Sequence, residues 1–318
     1  MKHDILIRIV TIIFQVFIVV TIVFSAIRFM PGDPAVLVLG TEKGADPEAV
    51  AEMRKTLGLD QPFLTQYIDW MKGAVTLDFG QSIFSGIDVT ESIMERLPKT
   101  LELAFLAMIL AIIIGVPLGI IAALYRGSVI DSMVSALAAV GISFPVYIIG
   151  TFLILLLSFK LNLLPASGYV SFSENPLEHI QRMILPALTI AFGLASTIAR
   201  MTRSSMLEVL NKDFIRTLRA KGLNERKIIF KHAFRNAIIA IITIIGLELG
   251  NLIGGTVLIE YLFNYPGLSS LLIQSINNRD YPLIQGSIII IATIYILINL
   301  FVEIIYGLVD PRTRKQNR

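Results

Sequence analysis

The chain contains no cysteine among its 318 residues, which excludes disulfide bonds, thiolate metal sites and cysteine catalysis. Charged residues are also scarce, because Asp, Glu, Lys and Arg make up only 16% of the chain, whereas soluble domains carry about a quarter. The 3 histidines form no H-x-x-x-H or H-E-x-x-H pattern, so no metal site is expected. With 55% hydrophobic residues and a mean hydropathy of +0.74, the composition indicates a membrane protein.

Six apolar stretches are long enough to cross a bilayer, for which a helix needs roughly 20 mainly apolar residues. They cover residues 9–27, 103–125, 132–159, 183–199, 236–259 and 281–302. We interpret Pro186 as a first-turn proline of the fourth stretch and expect Pro117 and Pro145 to kink their helices. The first stretch is longer than a signal-peptide core and no A-x-A site follows it, so we expect an uncleaved helix.

The basic residues are distributed unevenly among the segments that connect these stretches. If the N-terminus is inside, residues 1–8, the turn at Arg126, residues 200–235 and the tail after Val309 hold 17 of the 27 Lys and Arg residues. The opposite segments hold most of the acids. The positive-inside rule therefore predicts that both termini are cytoplasmic and that residues 31–99 lie outside.

The long outer segment has helical signals of its own. Asp46-Pro47-Glu48 predicts a helix start with an N-cap, a first-turn proline and a first-turn acid, and Gly58 predicts the end of that helix. A second helix is predicted from about Gln61 to Val75. One face of it carries Phe63, Tyr67, Ile68 and Met71. With few large apolar residues, the segment is expected to pack on the membrane helices rather than to fold as an independent domain.

Residues 200–235 are strongly basic, with 10 Lys or Arg and 3 Asp or Glu between two apolar stretches. We predict that Asp213 caps a short helix, that Gly222 ends it in a left-handed conformation, and that Asn224 caps a second helix. The first helix has an apolar patch of Phe214, Ile215 and Leu218, and a basic face of Arg216, Arg219 and Lys221. Such a helix suits docking into a protein groove. The alternative is a solvated loop whose charges only fix the topology.

The sequence R-T-L-R-A-K-G-L at 216–223, followed by H-A-F-R-N-A at 232–237, resembles the EAA loop of ABC importer permeases. Arg216 replaces the Glu of the general loop, and Phe234-Arg235 replaces Leu-Pro; both departures resemble the peptide/nickel branch. Seven further motifs follow the family order: Met30-Pro-Gly-Asp-Pro34, Leu77-Asp-Phe-Gly80 with Ser82, Arg96-Leu-Pro-Lys-Thr100, Ser143-Phe-Pro145, Leu164-Pro-Ala-Ser-Gly168, Glu260 with Tyr265-Pro-Gly-Leu268, and Arg279-Asp280-Tyr281. The resemblance covers almost the whole chain and is to the B-type subunit of dipeptide, oligopeptide and nickel importers.

This resemblance implies an all-α membrane protein with six transmembrane helices. It places an extracytoplasmic helical insertion after the first span and a cytoplasmic EAA-type coupling loop between spans four and five. The implied parts are a tail and first span at 1–30, the insertion at 31–99, and a five-span permease core at 100–318 with the coupling loop at about 204–235. The implied location is the plasma (inner) membrane of a bacterium or archaeon.

The implied function is half of a translocation pathway for di- or oligopeptides in an ATP-driven importer. The implied partners are a second six-span permease, two cytoplasmic ABC ATPase subunits and an extracytoplasmic solute-binding protein, with no nucleic acid. The chain lacks a G-x-x-x-x-G-K-[ST] sequence, so ATP and Mg are expected on the ATPase subunits, and this chain is expected to be neither an enzyme nor a cofactor binder. Importers of nickel, metallophores or glutathione remain alternatives, as does an ion-coupled secondary transporter.

The resemblance assigns ATPase coupling to one set of residues: Phe214, Arg216, Thr217, Leu218, Arg219, Ala220, Lys221 and Gly222. Glu248 lies in the middle of the fifth stretch, where an ionisable group usually faces a cavity or a partner. It is a pathway residue that meets a peptide amine, a group that makes a structural hydrogen bond to a neighbouring helix, or a neutral acid. Nearby Gly250, Gly254 and Gly255 indicate either close helix packing or a flexible gate.

Overall fold

The computed structural model describes residues 2–28, 34–39 and 46–309, which form helices and an isolated bridge between Gln81 and Asp88. The first half contains α1 (Lys2–Arg28), α2 (Pro34–Leu39), α3 (Pro47–Thr56), α4 (Phe63–Thr76), α5 (Val89–Leu124), α6 (Val129–Ser143), α7 (Val146–Leu153) and a π-helix (Ile154–Lys160). The second half contains α8 (Pro176–Leu210), α9 (Asp213–Ala220), α10 (Glu225–Lys227), a second π-helix (Ile228–Ala233), α11 (Phe234–Leu262), α12 (Leu268–Asn277) and α13 (Tyr281–Val309). Residues 30–33 of the first motif and the basic tail after Val309 lie outside the described residues.

Within the described residues, 4 helices are long and apolar enough to cross a membrane. They are Val89–Leu124, Pro176–Leu210, Glu225–Gly250 and Tyr281–Ile304. The bent pair Val129–Ser143 and Val146–Lys160 raises the number to 5 if it counts as one span, and α1 holds a shorter apolar segment, Val10–Ala26. The chain is therefore an all-helical, multi-pass membrane protein.

The predicted kink at Pro145 is a complete break in the helix. α6 ends at Ser143, Phe144 is extended, and α7 starts at Val146, with an angle of 111° between the two parts. Proline disfavours a helical conformation of the residue before it, which explains why Phe144 leaves the helix. The single stretch predicted at 132–159 is thus two helices.

The interpretation of Pro186 as a first-turn proline is wrong. α8 starts ten residues earlier at Pro176, where the Asn175 side chain accepts a hydrogen bond from the Glu178 amide at 3.3 Å. Pro186 lies inside α8 and is buried. The proline of the first turn is Pro176. It lies outside the apolar stretch predicted at 183–199 because its neighbours are polar.

The chain separates into two compact units, and the predicted partition at residues 30 and 99 stays a prediction. The first unit is Met1–Thr100 with Pro266–Leu297. In it, α4 packs on α1 through Phe24, whose ring meets those of Phe63 and Tyr67 at 5.4 and 5.3 Å between centroids. The predicted cap at Asp46 and the left-handed Gly58 after α3 are confirmed.

The packed face of α4 differs from the predicted one. Phe63 and Ile68 are exposed, whereas Trp70, Met71 and Ala74 pack against the apolar core of this unit. The Trp70 indole Nε1 also donates to the Val20 carbonyl oxygen at 3.4 Å. The lone tryptophan therefore has a packing role between α4 and α1.

The second unit is Leu101–Tyr265 with Ile298–Arg318, and α8 packs in it against α6, α7 and α11. Gly115 and Gly119 of α5 lie directly on α8, since a Cβ at these positions would lie 2.7 Å from the Ala195 carbonyl oxygen and 2.5 Å from that of Ala199. Small residues four apart on both helices let the backbones approach closely. The Gly115-x-x-x-Gly119 spacing is the sequence signal for this contact.

Candidate functional site

The basic segment folds as a helix, a glycine turn and a short second helix. Gly222 has a φ of +74°, as predicted, and a Cβ added there would meet nothing within 4 Å, so the requirement for glycine is conformational. The Asn224 side chain accepts from the Arg226 amide at 2.9 Å and caps α10, also as predicted. Asp213 was predicted as the cap of α9, but the cap position is Lys212 and Asp213 is the first helical residue.

The apolar patch predicted on α9 is divided between inside and outside. Ile215 is fully buried among residues of the same unit that include Met206 and Ile228, and Leu218 packs on this cluster. Phe214 is 39% exposed. Burial of Ile215 removes its side chain from water and fixes α9 on the end of α8 and the second π-helix. Of the predicted apolar patch, only Phe214 is therefore exposed to solvent.

The surface that α9 leaves exposed is mostly polar or charged. It consists of Asp213, Phe214, Arg216, Thr217, Arg219 and Ala220, and Lys221 after the helix is exposed too. Arg216 makes only a long, exposed ion pair with Asp213 at 3.4 Å. This face combines one aromatic ring with cations, and such a combination fits contact with a protein surface.

Arg219 is used within the chain. Its Nε donates to Glu225 Oε1 at 2.7 Å and its Nη2 to Oε2 at 3.4 Å, so the pair bridges the Gly222 turn. The hydrogen bond that Arg219 donates to Glu225 raises the pKa of the Arg219 guanidinium, which keeps it charged. Both residues line a cleft of about 450 Å³, together with Tyr125, Arg126 and Asn211.

A second ion pair, which the sequence analysis missed, joins α6 to α8. Arg203 donates to Asp131 from Nε at 2.6 Å and from Nη2 at 2.8 Å. Asp131 is buried and also accepts from the Gly127 amide at 2.9 Å. A bidentate pair of this kind fixes both position and orientation. The partners are 72 positions apart in the sequence, which explains why no local pattern showed the pair.

The first unit brings together motifs that the sequence presents far apart. The Ser82 hydroxyl donates to the buried carboxylate of Asp280, which also accepts from the amides of Ile83 at 3.3 Å and Phe84 at 3.5 Å. Elsewhere in this unit, the Leu268 amide donates to the Thr100 hydroxyl at 2.8 Å. The motif around residue 80 is thus hydrogen-bonded to the motif around residue 280.

The second unit pairs two further motifs around a buried histidine. The Gly168 amide donates to the Phe263 carbonyl oxygen at 2.9 Å, and the Tyr169 ring meets that of Tyr265 edge-on. His179 is 3% exposed and lies between the Val170 carbonyl oxygen at 2.7 Å and Glu102 Oε1 at 2.9 Å. These contacts show His179 holding the loop before α8 in place.

Glu248 is half-buried on α11. Its role in a pathway and its role in a structural hydrogen bond both stay predictions. A Cβ on Gly250 would lie 2.4 Å from Asn299 Oδ1, so this glycine permits close packing. Gly254 and Gly255 are exposed and have open space beside them, so packing does not explain them.

Comparison with known proteins identifies the family. The profile of the family described as binding-protein-dependent transport system inner membrane component matches residues 115–315, and its N-terminal companion profile matches residues 1–104. The dipeptide transport system permease protein DppB of Escherichia coli (strain K12) is 41% identical over 314 residues, which covers 92% of each chain.

Solved structures agree with the fold. A chain of the MetNI methionine ABC transporter in inward facing conformations has a TM-score of 0.57 and 19% identity, and the match covers 69% of this chain and 96% of that one. An amino acid ABC transporter has a TM-score of 0.50 at 20% identity, over 70% of this chain and 94% of that one. The resemblance to ABC importer permeases is thereby confirmed, and the chain belongs to the family of inner membrane components of binding-protein-dependent transport systems.

Proposed function

We propose that this chain is one transmembrane subunit of an ATP-driven importer of short peptides. The observation that carries the proposal is the 41% identity to a dipeptide permease over 92% of both chains. The match includes the outer segment, residues 31–99, and the part of the coupling loop at residues 213–236, called the coupling segment below, so it extends beyond the shared membrane core. A second permease, two ATPase subunits and a solute-binding protein complete the proposed importer.

The proposed topology has six spans. α1 supplies the first, the bent pair of α6 and α7 the third, and the four long apolar helices the others. The excess of basic residues, 17 of 27 in the alternate segments, puts both termini and the coupling segment in the cytoplasm. Single cysteines at Gly222 and Gln61 test this in the cysteine-free chain. We expect an impermeant maleimide to label position 61 but not 222 in intact cells, and the reverse pattern contradicts the topology.

The coupling segment is proposed to transmit movement of an ATPase subunit to the membrane helices. The exposed side of α9, with Phe214, Arg216 and Thr217, contacts the ATPase, while the buried Ile215 connects α9 to the membrane helices. ATP and Mg bind on the ATPase subunits. The second π-helix runs directly into α11, so a displacement of α9 is passed to the fifth span.

Glu248 is proposed to meet the ammonium group of a passing peptide. A carboxylate exposed to lipid at this depth would cost about 2–3 kcal/mol on insertion scales, which favours a position on a cavity or a partner subunit. Glu248→Gln keeps the size and the hydrogen-bonding capacity of the side chain but removes its charge, and it is expected to alter the uptake rate without loss of assembly. Wild-type uptake by Glu248→Leu contradicts the pathway role.

Uptake by the reconstituted complex tests the function. The tagged chain is isolated from its native membranes with its co-purifying subunits, placed in liposomes, and supplied with ATP, the binding protein and a labelled dipeptide. We expect ATP-dependent accumulation, abolished by Gly222→Val with insertion intact, because a β-branched residue resists the left-handed turn. Accumulation of nickel or glutathione without peptide uptake rejects the peptide assignment.

A further inference from the structure

The first unit contains a cleft of about 480 Å³ between α3, α4, the loop that follows α4 and the start of α13. Phe79, Tyr281 and Gln285 are its buried lining residues. Gln61 and Asp69 are exposed lining residues. The volume lies within the range of about 300–1,000 Å³ that small-molecule sites occupy.

One polar group in the wall of this cleft has no hydrogen-bond partner among the described residues. Gln285 is 5% exposed, and its Nε2 donates no hydrogen bond within the described part of the chain. A buried amide without a hydrogen-bond partner destabilises the folded state, so such groups usually bind a ligand or water. Gln285 therefore calls for a ligand with a carbonyl or carboxylate oxygen.

The rest of the lining narrows the chemistry of that ligand. Asp69 is the only charged residue among the described residues of the lining, and it pairs with Lys72 at 3.1 Å, where both side chains are more than half exposed. An exposed pair of this kind contributes little, so a ligand cation can replace Lys72. Trp70 adds an aromatic surface, and Gln66 and Gln81 add amide groups. A carboxylate, an aromatic ring and several amides together suit a ligand with an ammonium group and a peptide bond.

The wall of the cleft is fixed in advance. Gly80, Gln81 and Ile83 belong to the loop that is held from behind by the buried carboxylate of Asp280. Tyr281 and Pro282, which also line the cleft, follow Asp280 directly in sequence. A preformed site loses less free energy in ordering its groups on binding.

We propose that this cleft binds the amino-terminal end of a short peptide, with Asp69 facing the ammonium group, Gln285 donating to a backbone carbonyl oxygen, and Trp70 contacting the first side chain. The proposal rests on the proposed function, since the ligand is the substrate class of the importer. On the proposed topology the cleft lies on the outer side, where peptide arrives. It gives the permease a peptide site of its own outside the membrane.

Trp70 is the only tryptophan in the chain and lines the cleft, so its fluorescence reports on occupancy. The full-length chain in lipid nanodiscs is titrated with Ala-Ala, which does not absorb in the tryptophan range, and with N-acetyl-Ala-Ala. We expect a saturable change with Ala-Ala and about tenfold weaker binding of the acetylated peptide, because the lost ammonium group no longer faces Asp69.

Three substitutions test whether the change in Trp70 fluorescence comes from binding in this cleft. Asp69→Asn and Gln285→Leu are each expected to weaken binding of Ala-Ala about five- to tenfold. Gln274→Leu is the matched control, since Gln274 is exposed on α12 and does not line this cleft, and it is expected to leave binding unchanged. Asp69 is exposed, so its variant keeps the test valid even if Gln285→Leu impairs folding.

The outcomes separate this inference from the function on which it rests. If the reconstituted complex imports Ala-Ala but Trp70 does not respond, the cleft is not a peptide site while the proposed function stands. Binding that is insensitive to Asp69→Asn and Gln285→Leu also overturns the inference. A response to the binding protein alone, lost in Gln285→Leu, assigns the cleft to that protein instead. Saturable binding without any ATP-driven peptide uptake rejects the proposed function and leaves the site.

Discussion

The coupling segment, residues 213–236, and the loop after α4, residues 77–85, are held in place by opposite means. In the coupling segment the contact with the rest of its unit is apolar, through the buried Ile215, Ile228 and Ala233, and the charged groups are exposed. In the loop after α4 the anchoring group is the buried carboxylate of Asp280. The coupling segment, which is proposed to contact an ATPase subunit that changes conformation, keeps its charged groups in water. The loop after α4, which shapes a cleft, is instead hydrogen-bonded to one buried carboxylate.

The two anchors also differ in their tolerance of movement. Apolar contacts are non-directional, so Ile215 can shift slightly in its pocket with little loss of free energy. The hydrogen bonds to Asp280 require fixed distances and angles, and a buried carboxylate that loses its donors is strongly destabilised. We infer that the loop after α4 is a rigid wall of the cleft, whereas α9 can shift slightly while it stays packed on its unit.

Removal of the Asp280 carboxylate is expected to have the largest effect. Asp280→Ala leaves the Ser82 hydroxyl and the amides of Ile83 and Phe84 without their acceptor, so we expect a loss of roughly 3–5 kcal/mol. Thermal unfolding of the purified chain, followed by Trp70 emission, measures it. Asp78→Ala is the control, since Asp78 is exposed and accepts only from the Gly80 amide. Equal effects of the two variants contradict the rigid-wall interpretation.

The apolar anchor of α9 is expected to contribute less. Ile215→Ala removes a fully buried side chain and should lower stability by about 2–4 kcal/mol. The loss should concentrate in residues 213–227, where hydrogen exchange would rise. Phe214→Ala is the adjacent control: its side chain is 39% exposed, so stability should change little while ATPase docking weakens. If Phe214→Ala unfolds the segment and Ile215→Ala does not, the assignment of inner and outer faces is wrong.

The glycine turn comes next in magnitude. Gly222→Ala meets no atoms within 4 Å, so its expected loss of about 1–2 kcal/mol comes only from the left-handed backbone. Gly222→Asn tolerates this conformation better and should lose less. The measurement is substrate-stimulated ATP hydrolysis of the complex together with hydrogen exchange at 213–227. Identical behaviour of the Ala and Asn variants contradicts a purely conformational requirement.

The features that the sequence predicted are local ones. The Asp46 and Asn224 caps, the helix end at Gly58 and the left-handed turn at Gly222 depend on two to four neighbouring residues, so pattern and spacing suffice. The boundaries of α5 and α8 were missed because polar first turns interrupt the hydropathy signal while capping and packing still keep them helical.

The contacts that shape the candidate sites were not accessible in this way. Ser82 and Asp280 are 198 residues apart, and Asp131 and Arg203 are 72 apart. The motifs that contain Ser82 and Asp280 were visible separately, but the pairing of distant residues depends on which helices meet. The inward direction of Ile215 is a similar case, because an amphipathic helix has an apolar face whether its partner is another protein or its own chain.

The smallest effect is expected at the ion pair that bridges the glycine turn. Its size tests how firmly the coupling segment is held relative to the loop after α4. Arg219 and Glu225 are both about half exposed, so their interaction should contribute only about 0.2–1 kcal/mol and should weaken at high salt. In a double-mutant cycle, Arg219→Ala and Glu225→Ala should show a coupling of this size, measured by unfolding at low and high ionic strength.

The charge-reversed pair, Arg219→Glu with Glu225→Arg, should restore stability. If it also restores ATPase coupling, Arg219 acts by bracing the turn; if stability returns but coupling does not, Arg219 contacts the ATPase directly. A coupling energy well above 1 kcal/mol would mean that the turn is held as firmly as the loop after α4, and the contrast between an adjustable and a rigid segment would fail.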